Sequence, residues 1–509
     1  MTDLKLKTVK IHEDDDVAIL MLGVKAGARI DPHQVHADRD IPAGHKVALR
    51  HIPAEAPVRK YGQVIGFAKE DIPPGTHVHI HNLYLKSFIR EYDIGVEARE
   101  SRSVQSEERA TFNGFVRTNG NVGTRNYIGI ISTVSCSASV ARFVAEALSA
   151  EELALYPNVD GVVPLVHSLG CCMTPDGEGL QLLQKTLAGY ALNPNFGAVL
   201  VIGLGCEINL VESLCTAMDL PSGPRLQTLE IQDRGGTRKT VQAGLEALRA
   251  MLPLADQNRR QAVAVSHLTL GLECGGSDAY SGLTANPALG AAVDILIRHG
   301  GTAILSETPE VFGAEHLLIR RAESEAVGQR LLDCFEWWHE YTRKNGAVID
   351  NNPTPGNKAG GITTIVEKSL GAVSKSGTTN LRAVYGYAEP VKESGLVFMD
   401  TPGYDVVSIT GMIAGGANLV CFTTGRGTVC GFKPVPTLKL ATNSEMYRRM
   451  QEDMDIDCGR ILTGSETIRS MGQRIFDTLL DIASGRRTRS EAQKFGDTEF
   501  VPWHIGAVM

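Results

Sequence analysis

Cys136, Cys171, Cys206 and Cys274 each sit where an apolar run meets glycine, in IISTVSC, VHSLGC, LVIGLGCE and LGLECGGSD. The first three are 35 residues apart and the next interval is 68, close to two such steps. A strand, a crossover helix and the return to the next parallel strand take roughly 30 residues or more, so the spacing predicts thiols at successive strand ends of one sheet. Ligands of open α/β sheets lie outside the carboxyl ends of the strands, which would turn these thiols toward a common crevice. Three thiolates can hold a [4Fe–4S] cluster with one iron open to substrate, and four make the closed form. Against the cluster, there is no local C-x2-C pair. The alternative for any one thiol is burial as a small hydrophobe.

Other reactive groups fall beside these turns. His167, four residues before Cys171, is the first candidate for general acid or base because imidazole titrates near neutral pH; a buried, hydrogen-bonded histidine is its rival reading. Glu207 directly follows Cys206, and Asp278 and Glu307 stand at further strand ends, as acid–base groups or metal ligands that the sequence does not rank. Near the N-terminus, His12, Asp15, Asp16 and His45 with Lys46 form a group of the ligand types that suit Mn2+ or Fe2+. His77, His79 and His81 alternate in HVHIH, which as a strand puts them on one face. An exposed polar face is preferred there to a metal site. Cys172, Cys215, Cys334, Cys421, Cys430 and Cys458 are read as structural.

The elements that must position these groups follow from patterning. Residues 1–91 carry short β-rich runs (KVALRHI, VIGFA, HVHIHNL) broken by IPAG and IPPG turns, a small all-β module. Residues 92–113 turn charged and Ser-rich with little apolar periodicity, which predicts a linker. Strand-like and helical runs then alternate through residues 114–258 and again through 259–509, predicting two α/β domains with Rossmann-like parallel sheets. Within them, helices are expected over Glu178–Leu192, near 209–218, over 314–345 and in SETIRSMGQRIFDTLLDIASG. GLGCE lacks the full G-x-G-x-x-G, so no nicotinamide cofactor is expected.

The formal charge of −8 on 509 residues is modest, and no dense basic block with interleaved aromatics points to nucleic acid. No window approaches the roughly 20 apolar residues of a membrane span, and the N-terminus lacks a secretory apolar stretch. A cytoplasmic protein is expected, its ten cysteines too dilute for a disulfide scaffold.

The strings ECGGSDAYSGLTANPALG, NNPTPGNKAGGITTIVEKSLG and FTTGRGT, with IHEDDDVAI and IPAGHKVAL near the start, closely resemble the altronate and galactarate dehydratase family. HVHIHN and ETPEVFGAEHLL look more like its altronate branch. The resemblance implies an N-terminal SAF domain of the β-clip type and a hydro-lyase that converts D-altronate to 2-dehydro-3-deoxy-D-gluconate with iron or manganese. It implies His12 and Asp15 as metal ligands, Asp15 rather than Asp16 because the family pattern has Asp then Asn at this pair. Lys358 is placed among the catalytic groups with His167, Glu207 and Asp278. His45, Lys46, Asn286, Asn357, Lys375, Arg426 and Lys439 lie in or beside the family elements and are expected to bind substrate, since cations beside glycine loops suit a carboxylate. A small-molecule sugar acid is the expected partner, and a homodimer the expected assembly. Galactarate as substrate, a sulfite-eliminating lyase and a non-catalytic sugar-acid binder remain as alternatives.

Overall fold

The computed structural model describes residues 8–86, 92–100, 103–220, 222–349 and 352–505. The expected module boundary at residue 91 lies outside the described residues. The N-terminal module is all-β. Its main sheet runs β1 (Thr8–Val9), β2 (Val17–Leu20), β3 (Lys46–Ala48) and β4 (His77–Val78) in that order, antiparallel throughout. Every residue of β2 and β3 is buried.

The segment expected to be a linker is instead a docked strap. Gly95 N–H donates to Ile319 O at 3.0 Å, and Arg320 pairs with Asp93 and Glu97. Two of its acids are paired with the body, and its end is already β5 (Thr111–Val116), antiparallel to β10 (Arg260–Ala264). Between these two lies the first parallel sheet: β6 (Tyr127–Ser132), β7 (Gly161–Leu165), β8 (Phe196–Gly203) and β9 (Leu226–Glu230), in the order β7-β6-β8-β9. Helices α1 (Ser135–Ala147), α2 (Glu178–Leu192) and α3 (Thr237–Asp256) accompany it. β8 is buried at all eight positions, the signature of a parallel strand covered on both faces.

The C-terminal domain holds seven parallel strands: β11 (Thr269–Cys274), β12 (Thr302–Leu305), β13 (Leu381–Tyr385), β14 (Gly395–Met399), β15 (Leu419–Thr424), β16 (Thr437–Ala441) and β17 (Ile456–Asp457). Their order is β13-β14-β12-β11-β15-β16-β17. Its helices include α4 (Ala285–Arg298), α5 (Glu325–Lys344), α6 (Pro355–Ala359), α7 (Ile365–Val373), α8 (Asp405–Ala414) and α9 (Ile468–Ala483). The single helix expected over 314–345 is broken before α5, where Ala322 bridges to Leu381 and Ser324 caps the new helix by accepting from Val327 N–H. Among the described residues no helix is long and apolar enough to cross a membrane.

Both sheets are doubly wound. The chain starts at β6 in one and β11 in the other, moves to one side, then returns to the opposite side. Crevices at such switch points are the ligand sites of open α/β sheets. They fall outside β6/β8 and outside β11/β15.

The module is fastened over the second crevice by ions. Lys46 on β3 donates to Glu367 on α7 at 2.8 Å and to Gly361 O at 2.7 Å, and Lys60 donates to the same carboxylate at 2.8 Å. All three side chains are 0–1% exposed. Burial opposes ionisation of Glu367, but the two lysines hold it well below the usual carboxylate range. Two ammonium groups on one carboxylate leave a positive charge over, and burial pushes Lys46 down to about 8. Glu367→Gln strands two buried lysines, and breaking such a group by removing one partner costs about 3–5 kcal/mol. Thermal unfolding should show a markedly lower first transition; an unchanged midpoint would show that the triad does not hold the module.

Candidate active site

Three loops at the carboxyl edge of the C-terminal sheet and one from the module meet around Asp278. After β11, Gly276 O accepts from Gly425 N–H (3.2 Å) and Arg426 N–H (3.1 Å) of the loop after β15. Ala279 N–H donates to Gly360 O at the end of α6 (2.9 Å), and Tyr280 OH reaches Leu20 O of the module (3.4 Å). Asp278 accepts from Thr442, Ser281 and Asn443 side chains. A Cβ at residue 425 would lie 2.2 Å from the Asp278 carboxyl carbon, so only glycine lets this loop close down. Asp278 is thus the buried post of the crevice, not a free acid or base.

The motif asparagines serve the same end. Asn286 donates to Gly371 O and accepts from Thr423; Asn357 donates to Ser277 O and caps α6. Neither has a free end for substrate. Lys46 is committed to Glu367, and Lys375 to Glu307 at 3.0 Å. Lys439 is fully buried with its Nζ unpartnered, and burial lowers its pKa. Arg426 is exposed and Lys358 half-buried at the rim, and no ion pair engages either among the described residues.

Beneath the loops lies a charged centre of which the sequence singled out Glu307, Cys274 and Lys375 but not Glu273, Glu310, Lys368 or Asp405. Glu273 and Cys274 end β11, Glu307 and Glu310 follow β12, and Asp405 opens α8. Lys368 of α7 donates to Glu310 and Asn352, and Lys375 to Glu307. Glu273, Glu307 and Glu310 are at most 2% exposed. Four carboxylates against two ammonium groups leave an excess of two negative charges. The protein answers by protonation: burial together with Glu307 pushes Asp405 up to about 7 and Glu273 well above its ordinary value. Glu307, despite burial, is held ionised by Lys375, and Lys375 and Lys368 stay ammonium against their own burial because of the acidic groups they face. Single oxygens of Glu273 and Glu307 are buried without a hydrogen-bond partner. Ligand oxygens of Glu273, Glu307 and Asp405 lie within 4.8 Å of one another. Orphaned carboxylate oxygens, the excess of negative charge and the three-carboxylate set of Glu273, Glu307 and Asp405 fit a hard divalent ion such as Mn2+ or Fe2+. Glu273 was legible only as a charge inside an otherwise apolar strand run.

Cys274 belongs to this centre and corrects the expected set of four thiols. It is buried on the second sheet, its Sγ 3.5 Å from Glu310 Oε2. Cys136, in the first turn of α1 after β6, and Cys171 and Cys206, on the loops after β7 and β8, are exposed. Those loops are stitched together: Ser135 N–H donates to Leu169 O (3.0 Å), Asn209 N–H to Gly170 O (3.2 Å), and Asn209 Nδ2 to Thr133 O (3.0 Å). Cys172, expected to be structural, is exposed beside Cys171 with the sulfurs 3.6 Å apart. Around these thiols the expected catalytic groups are scaffolding. His167 accepts from Leu169 N–H at Nδ1 (3.1 Å) and donates from Nε2 to Ser132 O (2.9 Å), and burial lowers it to about 4. Glu207 accepts from Thr133 and the N–H groups of Leu204, Gly205 and Cys206, which outweigh burial and keep it ionised.

The N-terminal expectations change as well. Asp15 accepts from three backbone N–H groups, of Ile11, His12 and Gly62, and His12 is solvent-exposed against Gly62, so the two do not form a metal pair. His77 is buried rather than on an exposed face, and His45 packs with His77 and His79.

A β-module clamped over the switch-point crevice of a parallel sheet, with unpaired cations at the rim and a carboxylate–lysine floor, describes a three-part α/β enzyme for acid–base chemistry on an anion. Family models match along the chain: the altronate/galactarate dehydratase SAF domain at residues 6–86, the D-galactarate dehydratase/altronate hydrolase second domain at 114–256, and the D-galactarate/altronate dehydratase C-terminal domain at 265–508. The chain is 39% identical over 487 residues to galactarate dehydratase (L-threo-forming) of Escherichia coli (strain K12), covering 94% of this chain and 93% of that one. It is 35% identical over 490 residues to altronate dehydratase of Bacillus subtilis (strain 168), covering 96% and 97%. The (2R)-sulfolactate sulfo-lyase subunit beta of Chromohalobacter salexigens matches at 32% over 396 residues, 77% of this chain and 96% of that one. The chain belongs to the altronate/galactarate dehydratase family, and it is an enzyme of the hydro-lyase class.

The raised Asp405 pKa gives a signed prediction for chelator-treated protein. The folded state binds a proton that the unfolded chain has released, so stability falls as pH rises from the ordinary carboxylate range through about 7. Asp405→Asn should flatten that slope in thermal melts between pH 5 and 8; a slope unchanged by the substitution would assign the titration elsewhere.

Proposed function

We propose that this enzyme removes water from a six-carbon sugar acid, D-altronate in the first reading, to give 2-dehydro-3-deoxy-D-gluconate. What supports the reading is the buried carboxylate cluster at the carboxyl edge of the C-terminal sheet, together with the loop cations Arg426 and Lys358, which no ion pair engages among the described residues. Arg426 and Lys358 bind the carboxylate, Arg426 through its planar fork. The proton on the carbon beside that carboxylate is weakly acidic, and its removal leaves an enediolate whose charge the buried Lys368 and Lys375 ammonium groups stabilise. Lys368 and Glu310 share one hydrogen-bonded proton, Glu310 having been raised by burial and by Glu307. Between them the pair can take a proton from carbon and return one to the departing hydroxide. The enol then tautomerises to the 2-keto-3-deoxy acid. Glu273, Glu307 and Asp405 are the residues that would hold Fe2+ or Mn2+, which when bound supplies Lewis-acid stabilisation of the developing charge.

Galactarate is the second reading. The identity to a galactarate dehydratase is 39% against 35% for the altronate enzyme, and two unpaired cations suit two carboxylates. On the first α/β domain, the exposed donor set of Cys136, Cys171 and Cys206 would suit a [4Fe–4S] cluster. Anaerobically purified protein assayed for iron, manganese and acid-labile sulfide separates the two centres: sulfide lost in Cys206→Ser marks the thiol loops, and sulfide-free metal lost in Glu307→Gln marks the carboxylates.

Turnover of pure D-altronate and D-galactarate decides the substrate by the ratio of kcat/KM. Arg426→Met should raise KM roughly 10- to 100-fold, the loss of a charge-assisted hydrogen bond worth about 1.5–3 kcal/mol. Lys368→Met should lower kcat by about 10²- to 10⁴-fold with metal content retained. Wild-type kcat in the lysine variant, or no turnover of any sugar acid by metal-replete protein, would overturn the reading.

A further inference from the structure

The histidine group of the N-terminal module has a geometry that the dehydration chemistry above does not use. His45 precedes the buried Lys46 on β3, His77 begins β4, and His79 follows it. His45 and His77 are 6% and 9% exposed. His45 Nδ1 lies 3.0 Å from His77 Nε2, the rings of His77 and His79 are stacked at 5.5 Å, and one ring nitrogen from each of the three residues falls within 4.8 Å of the others. His79 Nδ1 is buried with no hydrogen-bond partner. A buried polar nitrogen left unpaired costs about 1–3 kcal/mol, so its retention asks for a ligand.

His45 Nε2 lies 3.4 Å from Ala359 O of α6; an N–H directed at that carbonyl leaves Nδ1 to accept from His77 Nε2 at 3.0 Å in the metal-free protein, through the proton that an ion between the two rings would displace. Two nitrogens at about 2.1 Å from one ion are about 3 Å apart when they subtend a right angle, the separation already present between His45 and His77. Among the described residues no carboxylate joins the group, so its donor set is all-imidazole and distinct in kind from the carboxylate-rich centre under β11.

We infer that His45, His77 and His79 form a second metal site, for a borderline-soft divalent transition ion such as zinc or ferrous iron, at the seam between the module and α6. Imidazole sets favour such ions over magnesium, calcium or manganese. The site joins the loop carrying His45 to the carbonyl of Ala359, the residue next to Lys358, so an ion there fixes the module loop against the helix that presents a rim cation. It does not depend on which sugar acid is turned over.

The test uses full-length protein stripped with chelator and then titrated with Co2+ and Zn2+, read by visible d–d absorption and by metal retained after gel filtration. Glu307→Gln combined with Cys206→Ser should disable the carboxylate centre and the thiol set yet keep one equivalent of Zn2+ and the Co2+ spectrum of nitrogen ligation. His77→Gln and His79→Gln should lose that equivalent by more than the 10- to 100-fold that outer partners of a metal site are worth. Should either histidine variant misfold, diethylpyrocarbonate labelling of unaltered protein with peptide mapping replaces it: Zn2+ should protect His77 and His79 and leave His12 reactive. A Co2+ spectrum that persists in the folded histidine variants, or equal labelling with and without Zn2+, would overturn the site.

Discussion

A charge taken out of water must find an opposite charge or a proton, and in this protein that constraint is concentrated on one short helix. All nine residues of α7 are buried. Its adjacent residues Glu367 and Lys368 serve different partners: Glu367 holds Lys46 and Lys60 of the N-terminal module, while Lys368 holds Glu310 of the acidic floor. Just past the helix, Lys375 holds Glu307. The attachment of the module and the ionisation of the floor therefore share a backbone. Moving the module by an ångström would strain the Glu367 triad and displace the ammonium group that the floor relies on. A small β-module is in this way an electrostatic part of the second α/β domain rather than an appendage to it.

The architecture was largely legible because hydrophobic periodicity reports on burial geometry residue by residue. The switch from short β runs with Pro-Gly turns to alternating strands and helices predicted the three-part order, and Glu178–Leu192 forms a helix over the expected span. The partition of the thiols was not legible. Spacing measures path along the chain, and the 68-residue step from Cys206 to Cys274 passes through the edge strand β9, the long helix α3 and the antiparallel β10 before a new sheet begins. Two crossover units within one sheet would occupy the same length.

Nor was the acidic floor legible, because its pairs are remote: Lys368 and Glu310 are 58 residues apart, and Lys375 and Glu307 are 68. A single charged residue reads as a solvated face until its partner is known. Glu307 was singled out from its strand-end position, and Glu273 offered a further signal, since an ionisable group in a strand buried on both faces must be satisfied from elsewhere. Conversely Asp278, His167 and Glu207, singled out for catalysis, and Asn286 and Asn357, singled out for substrate binding, hold the loops in place through their hydrogen bonds. Their hydrogen-bonding capacity is spent on loops, and a motif residue that shapes a crevice cannot be told in sequence from one that reacts inside it.

The two doubly wound sheets offer two switch-point crevices, and their treatment differs in a way that follows from the donors. Outside β6 and β8 the loops are pinned by Glu207, His167 and Asn209 while the thiols stay exposed. Outside β11 and β15 the carboxylates are buried and the module lies over them. Electrostatic interactions that must discriminate a transition-state charge gain from exclusion of water, whereas a soft donor set needs only correct placement. On the proposed reading, proton transfer at carbon takes place at this second crevice, where Lys368 and Lys375 are held charged in their buried positions and where no ion pair engages Arg426 or Lys358 among the described residues.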